Sequence, residues 1–298
     1  MSEHEHDVSS PRLPAWLRRP IATAGKSGYV SGLLDELALN TVCQSAKCPN
    51  RGECFGAGTA TFLIMGDACT RGCRFCAVET RRPEPLDPDE PRRVGEAASR
   101  MGLRHVVITS VTRDDIEDGG AAHFVATIEA VRAAVPGVAV EVLTSDFAGR
   151  EASVDLVAAA RPEVYNHNLE TVPRLYPQVR PGADYERSLR VLARVRETHP
   201  EVPTKSGVML GLGETPDEVL EVGADLLAHG VSMLTLGQYL RPSSAHLPVA
   251  EFVEPGVFAE LAREAYGMGF SAVASAPFVR SSYHAGELAH EARVGDTR

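Results

Sequence analysis

The feature that most limits the possible folds of this 298-residue chain is a regular alternation of short apolar runs with helix-length segments. Six apolar runs are typical of buried strands, and a helix is predicted after each of them or shortly beyond it. The predicted strands are 59–65, 105–110, 138–145, 163–168, 204–210 and 231–237. The predicted helices are 92–101, 119–134, 151–160, 184–197, 216–229 and 256–267. Units of this kind predict a parallel sheet with right-handed crossovers.

Six units are too few for a closed eight-stranded barrel, so we predict an α/β fold with an open, partial (β/α)6 barrel of the TIM type. Residues 271–276 are either one further strand or part of a tail. We divide the chain into an amino-terminal extension (1–58), the barrel (59–276) and a carboxy-terminal tail (277–298) over the open end. Within the extension, the glycine-containing segment 41–58 is predicted to be loop. Catalytic groups of such barrels gather at the carboxyl ends of the strands.

The composition excludes several classes of protein. Hydrophobic residues make up 44% of the chain and charged residues 23%, which is typical of a globular domain and not of a disordered chain or a disulfide scaffold. The net charge of −10 opposes general binding to nucleic acid or to an anionic membrane. No apolar run is long enough to predict a membrane span, and the acidic start (1–11) lacks the features of a secretory signal. We therefore expect a cytoplasmic protein that binds neither nucleic acid nor membranes.

All the cysteines lie between positions 43 and 76, in two triplets. The triplets are Cys43, Cys48 and Cys54, then Cys69, Cys73 and Cys76. Disulfides are disfavoured, because a cytosolic chain with an ordinary core neither keeps nor needs them. Structural zinc usually takes four ligands in CxxC pairs, and only the last two cysteines form such a pair. Iron–sulfur clusters, which are held by thiolates at short spacings, fit better, and three cysteines per cluster would leave one iron open for chemistry.

The second triplet resembles the signature of the radical S-adenosylmethionine (SAM) superfamily. In CTRGCRFC (69–76) the cysteines have x3 and x2 spacing, and the aromatic Phe75 directly precedes the last one. The resemblance implies that Cys69, Cys73 and Cys76 hold a [4Fe–4S] cluster whose fourth iron binds the amino and carboxylate groups of SAM. It also implies a 5′-deoxyadenosyl radical, formed when one electron cleaves SAM, which can take hydrogen from an unactivated carbon.

The first triplet and the end of the chain narrow this resemblance. CQSAKCPNRGECF (43–55) upstream of the second triplet, with RSSYHA (280–285) near the carboxyl terminus, resembles the lipoyl synthase family. The resemblance extends from about position 30 to 286. Further matching blocks are VTRDD (111–115), YNHNLETVPRLY (165–176), VRPGADYERSL (179–189), KSGVMLGLGE (205–214) and GQYLRPS (237–243).

The resemblance implies a sulfurtransferase that inserts two sulfurs, at C6 and C8 of an octanoyl chain carried on a lysine of a lipoyl-carrier domain. It implies that Cys43, Cys48 and Cys54 hold an auxiliary [4Fe–4S] cluster, with Ser282 on its fourth iron, and that this cluster is consumed as the sulfur donor. The implied partners are octanoylated carrier domains (E2 subunits of 2-oxoacid dehydrogenases and the glycine cleavage H protein), an electron donor such as flavodoxin or ferredoxin, and an iron–sulfur carrier protein. Radical chemistry suits this task because a saturated carbon has neither a leaving group nor an acidic proton.

Five further residues are candidates for binding SAM. Asn168 and Glu170 follow the fourth predicted strand and either contact the ribose or amino group of SAM or form a polar turn. Arg180 either clamps the SAM carboxylate with a bidentate fork or is a solvated arginine. Gly211 and Gly213 either let the backbone approach the adenine or form a plain turn.

Further residues are candidates for the acyl pocket or for structural roles. Tyr239 and Arg241, after the sixth predicted strand, line the acyl pocket or hold a turn. His105, His123 and His167 are expected to pack or to form hydrogen bonds and not to bind metal. Two other functions stay open at this point: sulfur insertion into a small molecule, as in biotin synthase, and a non-catalytic iron–sulfur or zinc protein.

Overall fold

The computed structural model describes residues 13–18, 25–45, 48, 50–56 and 58–295. The acidic segment 1–11 and the last three residues lie outside this part. The described strands are β1 (Asn40–Thr41), β2 (Thr59–Ile64), β3 (Ala68–Cys69), β4 (Glu79–Thr80), β5 (His105–Ser110), β6 (Ala139–Leu143), β7 (Val164–Asn166), β8 (Thr204–Leu210), β9 (Met233–Gln238) and β10 (Ala272–Ser275). The α-helices are α1 (Gly25–Glu36), α2 (Val42–Ser45), α3 (Arg51–Gly56), α4 (Glu90–Arg100), α5 (Ala121–Ala134), α6 (Glu151–Ala159), α7 (Tyr176–Val179), α8 (Tyr185–Thr198), α9 (Pro216–Ala228), α10 (Pro255–Met268) and α11 (Ala285–Gly295). Single 3-10 turns occur at Ala15–Leu17, Phe147–Gly149 and Pro173–Leu175.

The main sheet has the strand order β1-β2-β5-β6-β7-β8-β9-β10. All neighbouring pairs from β2 to β10 are parallel, whereas β1 pairs antiparallel with β2. The predicted partial barrel is confirmed, because β10 does not close onto β1 or β2 within the described residues. The alternatives for 271–276 are also settled: Ala272 pairs with Met233, so this segment is a seventh parallel strand.

The strands form where the chain is continuously apolar, as expected for a parallel sheet covered on both faces. All six residues of β2 and of β9 are buried. The long helices lie outside and bury one face each; in α4 this face includes Val94, Ala97 and Ala98, which belong to the same core cluster as β2 and β5. None of the described helices has both the length and the apolar character needed to cross a bilayer.

The prediction that residues 41–58 form a loop was wrong. This segment contains the end of β1 and the short helices α2 and α3. Cys43 and Phe55 are buried in the core cluster that β2 also enters, and this packing outweighs the low helix propensity of Gly52. The short helices α2 and α3 are therefore packed against the barrel.

The segment after β10 crosses the carboxyl end of β9 before it reaches α11. The Gln238 N–H donates to the Pro277 carbonyl (3.3 Å). The Val279 carbonyl occupies the space that a Cβ on Gly237 would fill, so the crossing requires glycine there. The helix α11 then packs on Val164, the first residue of β7, and so covers the amino-terminal end of the barrel.

Candidate active site

The second triplet lies at the carboxyl ends of β2 and β5, as the sequence predicted. The backbone N–H of Thr112, just after β5, donates to the Cys69 Sγ at 3.3 Å, and the N–H of Arg71 donates to the same sulfur at 3.4 Å. Burial and, to a lesser extent, the neighbouring thiols of the triplet raise the pKa of Cys76 to about 12 and also raise the pKa of Cys73. The three thiols therefore lie close together, with backbone donors aimed at the sulfurs of Cys69 and Cys76.

Ion pairs fix this cysteine loop to the sheet. The Arg71 guanidinium contacts Asp114 through Nε at 2.7 Å and through Nη2 at 2.8 Å. Nη2 also lies 2.7 Å from Oδ1 of the fully buried Asp146, and Arg187 contacts the other oxygen of Asp146 at 2.7 Å. Burial disfavours a charged Asp146, but Arg71 more than offsets this and holds its pKa well below the usual range. No sequence pattern predicted this network, although Arg71 lies inside the cysteine motif.

The loop after β9 clamps the cysteine loop from the other side. His246 Nε2 donates to the Cys76 carbonyl at 2.9 Å, and the Leu247 N–H donates to the Arg74 carbonyl at 3.1 Å. Because a carbonyl only accepts, Nε2 carries the proton and Nδ1 accepts from the Ser243 hydroxyl at 2.8 Å. His246 therefore fixes the backbone at the last cysteine of the motif.

Tyr239 and Arg241 hold this turn. The Tyr239 hydroxyl donates to the Leu247 carbonyl at 2.8 Å, and Arg241 Nε donates to the His246 carbonyl at 2.8 Å. Arg241 also donates to the Ser244 carbonyl. The structure therefore supports the alternative in which Tyr239 and Arg241 hold a turn.

Asn168, Glu170 and Arg180 converge beside Cys73. Asn168 Nδ2 donates to Glu170 Oε1 at 3.1 Å, and Arg180 Nη1 donates to the Asn168 carbonyl at 2.9 Å and to the Tyr176 hydroxyl at 3.1 Å. Arg180 also donates to the Cys73 sulfur and lowers its pKa, against the larger effect of burial. Among the described residues, Asn168 Oδ1 and Arg180 Nε are buried with no hydrogen-bond partner, as expected where a polar ligand binds.

The backbone of Glu170 is strained, with φ of 68°. Burial raises the pKa of its carboxyl group, although Arg180 and Asn168 act in the opposite direction. A residue with a strained backbone and a raised carboxyl pKa, next to a buried cysteine of the second triplet, is typical of a functional site. Glu170 does not cap the next helix, so the polar-turn alternative is not supported for it.

Gly211 and Gly213 both have left-handed backbones, with φ of 97° and 113°. A Cβ on Gly211 would overlap Gln238 and the Glu251 carbonyl, so its close neighbours belong to the chain itself. Both oxygens of Glu214 accept backbone N–H groups of this loop, including that of Gly211. These contacts favour a tight turn at Gly211, and Phe75 packs against the same half of the core as this loop.

The first triplet is gathered against β2. The backbone and hydroxyl of Thr61 make hydrogen bonds to the Cys43 sulfur. Burial and, to a lesser extent, the other thiols of the triplet, Cys48 among them, raise the pKa of Cys43 to about 11 and that of Cys54 to about 12. All six cysteines are free thiols, so the disulfide alternative is not supported.

The RSSY segment lies beside the first triplet. The backbone N–H of His284 donates to the Cys54 sulfur. The Tyr283 hydroxyl donates to Glu53 Oε1 at 2.9 Å, across 230 positions of sequence. Ser282 occupies the turn that immediately precedes these two residues. The structure thus brings together two motifs that the sequence placed at opposite ends of the chain.

A second buried polar cluster inside the barrel joins β5, β6, β7 and β8. Lys205 Nζ of β8 is 2.5 Å from Glu141 Oε1 of β6, and His105 Nε2 of β5 is 3.6 Å from Glu141 Oε2. Asn166 Nδ2 of β7 donates to Glu141 Oε1 at 3.5 Å. The one sequence signal for this cluster is that Glu141 interrupts an apolar strand.

His123 and His167 form hydrogen bonds, as predicted. His123 Nε2 lies 2.7 Å from Glu90 Oε2, and His167 Nδ1 donates to the Thr144 carbonyl at 2.9 Å. Burial lowers the pKa of His167 to about 4, so this ring is neutral.

The two triplets fit iron–sulfur clusters better than a zinc ion. A zinc site needs its ligands to converge on one ion, and no three His, Cys, Asp or Glu side chains in the described part of the chain do so. A [4Fe–4S] cluster places each cysteine on its own iron and is tuned by hydrogen bonds to the sulfurs. Backbone donors of this kind reach Cys43, Cys54, Cys69 and Cys76. Buried thiols with raised pKa values also need a cationic partner before they can ionise together.

Comparisons with known proteins agree with these observations. Residues 63–226 match the family model of the radical SAM superfamily. Over 279 residues the chain is 58% identical to a lipoyl synthase of Methylococcus capsulatus, covering 93% of this chain and 87% of that protein. Over 274 residues it is 57% identical to a lipoyl synthase of Caldanaerobacter subterraneus, covering 92% of this chain and 96% of that protein.

Solved structures with low sequence identity share the fold. Streptococcus suis SuiB, bound to its precursor peptide SuiA, has a TM-score of 0.56 at 12% identity, covering 87% of this chain and 53% of that one. TYW1, with a lysine-pyruvate adduct bound, has a TM-score of 0.53 at 13% identity, covering 85% and 92%. The close relatives favour lipoyl synthesis over the biotin synthase-like and non-catalytic alternatives. The chain belongs to the lipoyl synthase family of the radical SAM superfamily.

Proposed function

We propose that the two cysteine triplets divide the two tasks of the lipoyl synthase reaction between them. Cys69, Cys73 and Cys76 hold the [4Fe–4S] cluster that binds SAM; the first triplet and Ser282 hold the auxiliary [4Fe–4S] cluster. When bound, these groups supply a 5′-deoxyadenosyl radical and the sulfurs for C6 and C8 of a protein-bound octanoyl-lysine.

The main support for the proposal is that both triplets lie along β2, at different distances from its carboxyl end. Cys69 lies just beyond the carboxyl end of this strand, where the N–H of Thr112 donates to its sulfur. Cys43 lies beside Thr61, three residues before the strand ends, a distance on the order of 10 Å along the strand. Two groups separated in this way can act on opposite sides of one acyl chain.

The polar cluster beside Cys73 binds SAM. Arg180 Nε is buried with no partner and is available to a carboxylate, which it would bind in a charge-assisted hydrogen bond. Asn168 Oδ1 is equally free to accept from the amino group or a ribose hydroxyl. Glu170, already bonded to Asn168, adds a second acceptor at the same place. We propose that Phe75 and Gly213 also belong to the cofactor site, whereas the contacts of Gly211 with Gln238 and Glu251 favour a tight turn there.

Ser282 is the ligand that can dissociate from the auxiliary cluster. A serine oxygen is a harder and weaker ligand for iron than a thiolate. Its place in a turn, and not in a helix or strand, lets it move away without disturbing the barrel. The residue is therefore suited to a cluster that is consumed in each reaction.

The substrate is an octanoylated lipoyl-carrier domain. We propose E2 subunits of 2-oxoacid dehydrogenases and the glycine cleavage H protein as carriers, flavodoxin or ferredoxin as reductant, and an iron–sulfur carrier protein for rebuilding the auxiliary cluster. Six free thiols fit a reducing compartment, which supports a cytoplasmic location. The extension (1–58), barrel (59–276) and tail (277–298) remain our division of the chain.

Mass spectrometry provides the direct test. The protein is reconstituted and reduced without oxygen, then incubated with SAM and an octanoyl-lysine peptide. We expect 5′-deoxyadenosine to form and the peptide to gain two sulfur atoms. Two clusters also predict about eight iron and eight sulfide per chain. A peptide of unchanged mass, from protein with both clusters loaded, would overturn the proposal.

A further inference from the structure

Two side chains of the segment after β10 converge on one carboxylate oxygen next to the first triplet. The Tyr283 hydroxyl donates to Glu53 Oε1 at 2.9 Å, and His284 Nε2 donates to the same oxygen at 3.0 Å. Glu53 directly precedes Cys54 in the sequence. A second contact lies earlier in the segment, where Asn50 Nδ2 donates to the Phe278 carbonyl at 2.6 Å.

These contacts enclose Ser282 on both sides. Phe278 is held four residues before it, and Tyr283 and His284 are held directly after it. His284 has a left-handed backbone, with φ of 50°, and its Nδ1 lies 2.8 Å from Glu287. A non-glycine residue in this region persists only where its surroundings fix it. The path of the chain through Ser282 therefore depends on contacts made by its neighbours.

We propose that Glu53 is a positioning residue that holds residues 276–284 against the first triplet, so that Ser282 reaches the auxiliary cluster. The inference rests on the proposed function of Ser282 and names the residue on which that function depends. Glu53 touches neither substrate nor cofactor in this role. It acts through hydrogen bonds to Tyr283 and His284, which need its oxygen as an acceptor and not its negative charge alone.

The first test needs no metal. Full-length metal-free protein is exposed to limited trypsin, and cleavage after Arg280 is followed by mass spectrometry. We expect Glu53→Ala to be cleaved about tenfold faster than the wild type, because the segment opens locally. Glu53→Gln keeps an acceptor oxygen at the same place and should be cleaved at nearly the wild-type rate. Glu287→Ala is the matched control, since it removes the other contact of His284 and leaves Glu53 intact.

The second test uses the loaded protein. After mild oxidation, we expect Glu53→Ala to show the electron paramagnetic resonance signal of a three-iron cluster, because the iron held by Ser282 is lost. Its yield of thiolated peptide should fall about tenfold, while formation of 5′-deoxyadenosine stays unchanged. Glu53→Gln and Glu287→Ala should show neither change. If Glu53→Ala does not fold, Tyr283→Phe, which removes one donor, gives the same comparison.

The outcomes separate this inference from the proposed function. Wild-type cleavage rates and an intact auxiliary cluster in Glu53→Ala would overturn the role of Glu53 while the wild type still thiolates its peptide. A wild type that loads both clusters but thiolates nothing would overturn the proposed function, and the trypsin result for Glu53 would stand independently.

Discussion

Lys205 and Glu141 form an ion pair inside the barrel, with 2.5 Å between Nζ and Oε1 and with both side chains at most 1% exposed. The pair reaches from β8 to β6 across β7. Burial alone would raise the pKa of Glu141, but Lys205 and His105 outweigh it and hold that pKa below the usual value. Each charge therefore depends on the other to remain in the core.

Removing one partner of this pair should be costly. We expect Lys205→Met to lower the free energy of unfolding by about 3–5 kcal/mol, because it leaves an uncompensated carboxylate in the core. The double variant Glu141→Leu/Lys205→Met should recover most of this loss, since both charges are then gone. Urea unfolding of the three proteins measures the difference. Equal losses in the single and double variants would show that the charge balance is not the cause.

The two triplets should separate in their effects on the reaction. Cys73→Ala should abolish formation of 5′-deoxyadenosine, because the SAM cluster cannot assemble. Cys48→Ala should still cleave SAM but should yield no thiolated peptide, because the sulfur donor is missing. Chromatography of the nucleoside products and mass spectrometry of the peptide measure the two steps. Thiolation by Cys48→Ala at the wild-type level would contradict the assignment of the sulfur donor to the first triplet.

Replacing the serine ligand should slow the reaction without preventing cluster assembly. We expect Ser282→Cys to bind about eight iron per chain, as the wild type does, because a thiolate holds iron more firmly than a hydroxyl. Peptide thiolation should fall, since the fourth iron no longer leaves readily. Iron analysis and single-turnover product yields test this together. Unchanged turnover would mean that easy release of Ser282 has no part in the reaction.

The barrel could be predicted from the sequence because its signals are local. Residues 105–110 and 204–210 were predicted as strands, and β5 and β8 have these same bounds, since buried parallel strands are continuously apolar. The helix α3 could not be found in this way. Its local sequence contains glycine and favours a loop, and it is helical because Phe55 packs into the core.

The same distinction between local patterns and long-range contacts applies to the candidate site. The spacing of the cysteines is a local pattern, and it predicted that both triplets are ligands of iron–sulfur clusters. The contact of Arg71 with Asp146 and that of Glu53 with Tyr283 join distant segments that share no local pattern. Glu141 was visible as a charge within an apolar strand, but its pairing with Lys205 follows from the order of β6, β7 and β8 in the sheet, which no local pattern gives.

Asp146 should control how firmly the second cysteine loop is held. We expect Asp146→Asn to slow formation of 5′-deoxyadenosine about 10–100-fold, because Arg71 loses its buried counter-charge while the side chain keeps its shape. Asp115→Asn is the matched control: it pairs with Arg113 in the same VTRDD block and does not contact the cysteine loop. Its rate should stay within about twofold of the wild type. Similar rates for the two variants would contradict a role for Asp146 in holding the loop.

His167 should make stability fall in mild acid. Burial, followed by the nearby Arg180, lowers its folded-state pKa to about 4, whereas an unfolded histidine has a pKa of about 6.5. Between these values the unfolded chain binds a proton that the folded chain does not, so stability is complete above about pH 6.5 and is lost as the pH falls toward 4. The variant His167→Gln keeps an N–H donor for the Thr144 carbonyl but does not titrate. On going from pH 7.5 to pH 5, the wild type should lose about 2 kcal/mol more unfolding free energy than this variant, as measured by urea titration. Parallel losses in the two proteins would show that folding does not lower the pKa of His167.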